Sequence, residues 1–193
     1  MLRSSLLIGL LAFSAAASAD GFSYNYLTLG YGNVEIFDAD GDGFNLGGSY
    51  AFSDNIHGFL GYETGELESI VDATRIRAGI GYNTGLTDAL DMYARLSYES
   101  IDLDVPAILV PILGLGDSDE SGYGVGIGGR FRATDQLELN GGIKHVDYGD
   151  FDETSLEIGG VYSFNDKWSL GLQGDFGDDI STYALSGRFY FGK

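Results

Sequence analysis

Two histidines and one acidic run are the side chains of this 193-residue sequence whose types and spacing could do chemistry. His145 stands two residues before Asp147, which could supply a general base and a carboxylate to orient it. The other histidine, His57, is far away in the sequence. A base can be named only where geometry places it within hydrogen-bonding reach of a proton. We therefore interpret His145 as an interfacial residue and predict that the chain is not an enzyme.

The acidic run begins with Asp38, Asp40, Asp42 and Gly43, which match the D-x-D-x-D-G opening of a calcium-binding loop. Carboxylates at alternate positions can converge on one hard cation. Position 12 of such a loop should be a bidentate Glu, but here it is Ser49. The first interpretation is a solvated acidic hairpin loop. Weak calcium binding at Asp38, Asp40 and Asp42 is the alternative, and no other cofactor is predicted.

A two-residue repeat of apolar side chains dominates the rest of the sequence and must position these groups. One apolar face, for example, contains Phe44, Leu46, Gly48, Tyr50 and Phe52. About ten segments repeat this alternation. Hydrocarbon offers backbone N–H and C=O groups no partners, so a sheet that spans a membrane must close on itself. The pattern predicts an all-β fold, a transmembrane antiparallel up-and-down β-barrel, with ten strands favoured and eight as the alternative.

A soluble exported β-sandwich or lipocalin-like barrel would also alternate apolar and polar residues. Aromatic residues favour the membrane barrel because they cluster at both ends of the apolar face, with Phe52 and Tyr82 at one rim and Tyr98 and Tyr123 at the other. Basic residues at mid-strand on the polar face favour it too, since a water-facing sheet would not need them there.

The first residues have the features of a secretory signal. Arg3 supplies a positive charge, residues 6–13 form an apolar core, and residues 17–19 form a small-residue cleavage site. The apolar core is too short for a spanning helix, which needs about 20 residues. We predict a signal peptide over residues 1–19 and an outer-membrane β-barrel over residues 20–193. The absence of cysteine excludes a lipid anchor on cysteine and a disulfide framework.

Connections between the segments alternate between short and long, and short turns of such barrels face the periplasm. The long connections carry many carboxylates and are predicted as acidic external loops. One of them, Val105 to Leu115, is apolar and contains both prolines of the chain. An exposed apolar segment of this size is unusual, so it should pack over the barrel mouth, enter the outer leaflet or contact a surface partner.

The charge balance excludes one class of partner and predicts what fills the lumen. The formal net charge is −19, so nucleic acid is not an expected partner. Both signs of charge nevertheless occupy the predicted inward face. A barrel of about eight strands is just wide enough for side chains to fill, and ten strands widen it modestly, so Arg and carboxylate groups should bridge and plug the bore. The predicted lumen charge network comprises Glu63, Arg75, Arg77, Asp91, Arg95, Glu99, Arg130, Arg132, Glu138, Lys144, Glu157, Asp175 and Arg188.

Several short motifs resemble a family of small outer-membrane barrels first described as sulfation-dependent quorum factors. The motifs cover residues 22–26, 38–41, 58–62, 81–83 and 94–99, and the likeness spans most of the chain beyond residue 20. Val105 to Leu115 and the C-terminal Phe191-Gly192-Lys193 depart from the family pattern. The resemblance implies an outer-membrane barrel domain without a settled biochemical role.

Three classes of function remain for a barrel with these features. A structural or surface-interaction role needs only what is described above, a channel needs an open lumen, and an enzyme needs a polar cluster at one rim. We expect the first, in the outer membrane of a Gram-negative bacterium, in contact with membrane lipid and outer-leaflet lipopolysaccharide. The alternative is a narrow cation-preferring channel.

Overall fold

The computed structural model describes residues 17–18, 21–36, 39–67, 71–104, 118–149, 152–177 and 180–192. Its strands are β1 (Ala17–Ser18), β2 (Gly21–Phe22), β3 (Tyr26–Ile36), β4 (Ala39–Ala51), β5 (Ile56–Leu67), β6 (Val71–Thr87), β7 (Leu90–Asp104), β8 (Ser118–Arg132), β9 (Leu137–Asp147), β10 (Asp152–Ser163), β11 (Trp168–Phe176) and β12 (Ile180–Tyr190). Strands β3 to β12 form one closed antiparallel barrel, in which each pairs with its neighbour in the sequence and β12 pairs with β3. The ten-strand prediction is confirmed. In the described part of the chain, no helix has the length and apolar character needed to cross a membrane.

Alternation along each strand separates an exposed apolar face from a buried inward face. Leu96 on β7 is paired with Ile80 on β6 and with Val125 on β8, and these three side chains are 58%, 58% and 49% exposed. The inward-facing residue Glu99 on the same strand is 0% exposed. Strand β3, the first strand of the barrel, follows the same rule, with Leu27, Leu29 and Tyr31 outward. A surface this apolar suits hydrocarbon and not water.

The short turns lie at the same side of the barrel as the start of β3 and the end of β12. We call this side the short-turn end. The turns are tied by backbone hydrogen bonds such as Phe52 N to Ile56 O at 2.8 Å and Ala133 N to Leu137 O at 2.9 Å. At the same end, Phe191 N donates to Asn25 O at 3.1 Å. Short turns of outer-membrane barrels face the periplasm, so we expect this end to face it.

Aromatic side chains on the outward surface form edge-to-face pairs near both ends of the barrel. Such pairs put large amphipathic rings where hydrocarbon meets water. Their ring centroids are 5.4 Å apart in Tyr50–Phe52 and 5.5 Å in Tyr162–Phe164 at the short-turn end, and 6.0 Å in Tyr98–Tyr123 and 5.6 Å in Phe176–Tyr183 at the opposite end. These positions agree with the two predicted girdles.

The strands continue further at the outer end than the sequence suggested. Asp40 and Asp42 were predicted in a hairpin loop but lie in β4, and the carboxylates of Glu66 and Asp119 likewise belong to strands, β5 and β8. The ladder of backbone hydrogen bonds extends beyond the apolar band, where both faces of the strand carry polar residues and alternation no longer marks it. The apolar segment Val105 to Leu115 lies outside the described residues, as do Asp38, Glu68, Asp117 and Asp150.

The exposed position of Leu96 predicts a large cost for a charge there. Leu96→Arg should lower the free energy of unfolding by ~2–4 kcal/mol because the guanidinium at mid-wall would meet no water. Urea-induced unfolding in lipid vesicles measures the change. Arg95→Leu, its inward neighbour, is the comparison. Unchanged stability for Leu96→Arg together with higher stability for Arg95→Leu would mean that the two faces are inverted.

Candidate functional site

The inward face of the barrel holds the predicted lumen charge network and is the candidate functional site. Each of its thirteen residues occupies an inward position of its strand. Arg95, Arg132 and Lys144 are half-buried, and the other members are buried. Burying ionised groups is costly unless they are paired, so their partners determine what the lumen can do.

In the outer half, one chain of contacts links three strands. Arg77 Nη2 donates to Glu63 Oε1 at 2.8 Å, and Arg75 Nη1 lies 3.7 Å from Glu63 Oε2. Arg75 also forms an ion pair with Glu99. Tyr148 follows β9, outside the wall strands, and its hydroxyl donates to Glu99 at 3.3 Å. The outer end of the bore is thus occupied by charge pairs and one tyrosine.

Another part of the lumen contains two carboxylates near one lysine. Glu157 on β10 and Asp175 on β11 are directly opposite in register. Lys144 Nζ on β9 lies 4.0 Å from Asp175 Oδ2. Lys144 and Glu157 also line an interior void of about 20 Å³, which is room for about one water molecule.

The middle of the lumen is filled by rings and a guanidinium. Arg95 Cζ lies 4.2 Å from the centroid of the Tyr93 ring and 5.6 Å from that of Phe59. Glycines make room for these rings, since a Cβ added at Gly128 would overlap Tyr93 and one added at Gly79 would overlap Phe59. The inward glycines are therefore part of the lumen packing.

At the short-turn end, Arg130 forms a bidentate pair with Glu138. Its Nε donates to Glu138 Oε1 at 2.9 Å and its Nη2 to Glu138 Oε2 at 3.1 Å. Its Nη1 lies 3.9 Å from Asp91 Oδ2. Charge-assisted bidentate pairs of this kind orient an arginine strongly.

Residues 22–25, which we call the strap, precede β3 and cross the lumen at the short-turn end. The Tyr24 hydroxyl donates to Asp91 Oδ2 at 2.7 Å, and its ring stacks on the His57 imidazole with centroids 4.1 Å apart. Arg130 Cζ lies 4.6 Å from the Tyr24 ring centroid and 4.5 Å from that of Phe22. Tyr24 is 3% exposed, so the strap is part of the lumen contents.

Sequence reasoning did not find the strap or the role of Tyr148. A signal for the strap was present, because Phe22, Tyr24 and Tyr26 alternate on the face opposite to Leu27 and Leu29. Aromatic residues on the inward face of a first strand are out of place in a polar bore. Burial raises the pKa of Tyr24 and of Tyr148, so both hydroxyls stay protonated at neutral pH and donate to carboxylates.

The prediction that ion pairs bridge the bore is wrong for the described pairs. Arg77–Glu63, Arg75–Glu99 and Arg130–Glu138 each join adjacent strands, and Lys144–Asp175 spans one strand. Adjacent strands are only about 4.8 Å apart, so each of these arginines reaches a carboxylate on the neighbouring strand. The strap makes a longer contact, since Tyr24, just before β3, donates to Asp91 on β7.

At the outer end, carboxylates on neighbouring strands lie directly opposite each other. We call this set, Asp42, Glu66, Asp72 and Asp104, the acidic row, because Asp42 pairs with Glu66, Glu66 with Asp72, and Asp72 with Asp104. All four side chains are exposed. Directly opposite like charges repel, so the row raises the energy of the bare outer rim.

The predicted calcium loop has a different geometry from an EF-hand loop. Asp40 and Asp42 are exposed on strand β4, and Asp42 Oδ2 accepts the Tyr31 hydroxyl at 2.7 Å. Asp38 lies outside the described residues. Within the described ranges, no three or more His, Cys, Asp or Glu side chains converge as a metal cage.

His145 and Asp147 do not act as a pair in this structure. His145 Nδ1 contacts Thr154 Oγ1 at 2.9 Å, whereas Asp147 Oδ1 accepts the backbone N–H of Gly149 at 2.7 Å. His57 lies at the other end of the barrel against Tyr24. The two histidines therefore share no site.

The sequence profile of the Outer membrane protein beta-barrel domain matches residues 5–164. The chain belongs to this family. A comparison with curated protein sequences finds no match.

Solved barrel structures share the architecture of this outer-membrane barrel. NanC porin is 10% identical with a TM-score of 0.55, and the match covers 86% of this chain and 100% of that one. KdgM porin in complex with disordered oligogalacturonate is 9% identical with a TM-score of 0.49, covering 86% and 99%. Neisserial surface protein A is 16% identical with a TM-score of 0.43, covering 88% and 98%. At 10% identity the likeness to NanC porin shows the fold alone.

The Arg130–Glu138 contact predicts strong coupling between two positions. Glu138→Leu should lower the free energy of unfolding by about 3–5 kcal/mol because it leaves a buried guanidinium without its partner. The double variant Arg130→Met/Glu138→Leu should lose less than Glu138→Leu alone. Urea unfolding in lipid vesicles measures both.

Asp135→Ala is the matched control, since Asp135 is exposed in the adjacent turn. It should change stability by about 0.5 kcal/mol or less. Equal costs for Asp135→Ala and Glu138→Leu, or strictly additive costs in the double variant, would contradict the pairing.

Proposed function

We propose that this barrel is a structural or surface-interaction protein in the outer membrane of a Gram-negative bacterium, with a lumen that does not conduct. The proposal rests on the burial of the inward charges. Arg75, Glu99 and Arg130 are 2%, 0% and 0% exposed. The wall of a water-filled channel stays in contact with water, whereas these groups contact each other.

The energy of the ion pairs supports a closed resting state. Separating Arg130 from Glu138, or Arg75 from Glu99, without water to replace the partner leaves a buried charge uncompensated. The cost of such a loss is roughly 3–5 kcal/mol per pair. These pairs fix the wall, and the middle of the lumen is filled by Arg95 with the Tyr93 and Phe59 rings. These side chains would have to move before an ion could pass, which opposes spontaneous opening.

Fold likeness does not choose between a channel and a surface protein, because both kinds share this barrel architecture. The narrower resemblance, to barrels first described as sulfation-dependent quorum factors, is part of the proposal and implies no settled biochemical role. We assign no enzyme activity, since His145 is hydrogen-bonded to Thr154 and not to a carboxylate.

The outer rim supports a role at the cell surface. The acidic row would attract divalent cations, and hard cations of this kind can link carboxylates to the phosphates of lipopolysaccharide. We propose weak calcium accumulation along this rim, with membrane lipid and outer-leaflet lipopolysaccharide as partners. We also propose that a protein partner binds at Val105 to Leu115. We propose no nucleic-acid partner.

Planar bilayer recording tests the closed lumen. Purified protein should give no large stable conductance, and at most small cation-preferring events, because the inward charges are paired and buried. An open porin in the same lipid is the positive control. Large, stable, weakly selective channels from the purified barrel would overturn the closed lumen and favour a channel function.

Calcium dependence tests the outer rim. Millimolar calcium should raise the thermal unfolding temperature of the barrel because it relieves repulsion along the acidic row. Glu66→Gln together with Asp72→Asn should remove most of the response. Asp54→Asn together with Asp135→Asn, exposed at the short-turn end, is the matched control and should keep it. An equal calcium response in both double variants would show that the acidic row is not the cause of the stabilisation.

A further inference from the structure

The lumen wall around Tyr24 is organised independently of the strap. His57 Nδ1 contacts Asn83 Oδ1 at 3.2 Å. Arg130 is oriented by Glu138, and Asp91 lies beside Arg130. Each wall group that contacts Tyr24 therefore has another wall residue that holds it, so the pocket keeps its shape when the ring leaves.

A glycine provides the space for the His57 ring. Gly81 on β6 is directly opposite His57 in register, and a Cβ added there would overlap the imidazole. Because Gly81 has no side chain, the imidazole occupies the space beside it, and its face stacks on the Tyr24 ring. The interplanar angle of 24° between the two rings agrees with stacking.

His57, Arg130 and Asp91 together bind the two features of a phenol, an aromatic ring and a hydroxyl. The imidazole of His57 stacks on the ring, the guanidinium of Arg130 lies over it, and Asp91 accepts its hydroxyl. A ring without a hydroxyl would leave the buried carboxylate without this donor, which is unfavourable. The chemistry therefore distinguishes a phenol from a plain aromatic hydrocarbon.

Asn25 ties the strap to the wall. Its Oδ1 accepts Ala51 N at 2.8 Å, and its backbone O accepts Phe191 N. Upstream of Asn25, the rings of Phe22 and Tyr24 contact the lumen, and Phe22 pairs with β1 in a two-stranded sheet outside the barrel. Within the described residues, the strap upstream of Asn25 is not part of the barrel ladder, so it can leave the lumen without breaking that ladder.

A water-accessible route leads to the pocket from the short-turn end. A polar cavity of about 700 Å³ opens there, and its lining includes Phe22, Asp54, Asp88, Asp91 and Arg132. Asp91 is also the acceptor of the Tyr24 hydroxyl. A small solute on the periplasmic side can therefore reach the edge of the strap.

We propose that His57, Asp91 and Arg130 form a binding site for small phenolic compounds, and that Tyr24 occupies this site as a tethered ligand. A free phenol would take the place of the Tyr24 ring and release the strap from the lumen. The tether gives Tyr24 a high effective concentration, so the wild-type protein binds free phenols weakly. This inference goes beyond the proposed surface role, because it concerns the periplasmic half of the lumen and does not require conductance.

Fluorine NMR with 4-fluorophenol tests the site in the full-length protein. Tyr24→Ala should bind 4-fluorophenol saturably, at least about tenfold more tightly than the wild-type protein does, because the tethered competitor is gone. Fluorobenzene, which has no hydroxyl, should bind Tyr24→Ala about tenfold more weakly than 4-fluorophenol. Heat-modifiable migration in gels verifies that each variant is folded.

Tyr50→Ala is the matched control because Tyr50 is an outward-facing tyrosine at the same end, 55% exposed. It should bind 4-fluorophenol no better than the wild-type protein. Tighter binding by Tyr24→Ala alone is then due to the pocket and not to partition of the probe into the detergent that solubilises the protein. Equal binding by Tyr24→Ala and Tyr50→Ala, or equal affinity of Tyr24→Ala for both probes, would overturn the proposal.

A second measurement keeps Tyr24 in place, in case Tyr24→Ala does not fold. The chain contains no cysteine, so Ser23→Cys introduces a single thiol in the half-buried strap. Excess 4-fluorophenol should increase the rate of maleimide labelling several-fold, and fluorobenzene should not. Labelling that is insensitive to 4-fluorophenol would show that the strap does not exchange with a phenol. A conducting wild-type protein would contradict the proposed function but not this site.

Discussion

Backbone hydrogen bonding without water is the constraint on which the rest of this structure depends. Every strand in hydrocarbon must find partners for its N–H and C=O groups on both sides, and the last pairing, β12 with β3, removes the two remaining edges. That pairing also brings both ends of the barrel chain to the short-turn end. Closure thus determines where the strap can enter the lumen.

A closed ring of ten strands leaves a narrow interior, and narrowness explains how its charges are arranged. An inward arginine reaches a carboxylate on the adjacent strand before it reaches the opposite wall, as Arg130 does with Glu138. Large rings such as Tyr93 need an inward glycine next to them, because two side chains cannot fill the same place. Packing and charge pairing are therefore consequences of the same geometry.

Two tyrosines from outside the wall strands enter the lumen from opposite ends. Tyr24 donates to Asp91 near the short-turn end, and Tyr148 donates to Glu99 in the outer half. Both acceptors are buried carboxylates that also lie beside an arginine. The wall strands provide the buried carboxylates, and segments outside the wall strands provide the tyrosines that contact them.

The sequence by itself favoured ten strands and determined the two faces of strands such as β7 and the identity of the inward charges, because alternation is a local property that each segment carries alone. Closure of the ring decided between ten strands and eight. Which charges pair was decided by the tertiary structure, since register and side-chain reach join residues far apart in the chain, such as Lys144 and Asp175. The placement of Tyr24 against His57 required closure of the whole ring. The tertiary structure also decided where the strands end near Asp42. Beyond the apolar band the hydrophobic alternation stops, but the backbone hydrogen bonds between neighbouring strands continue.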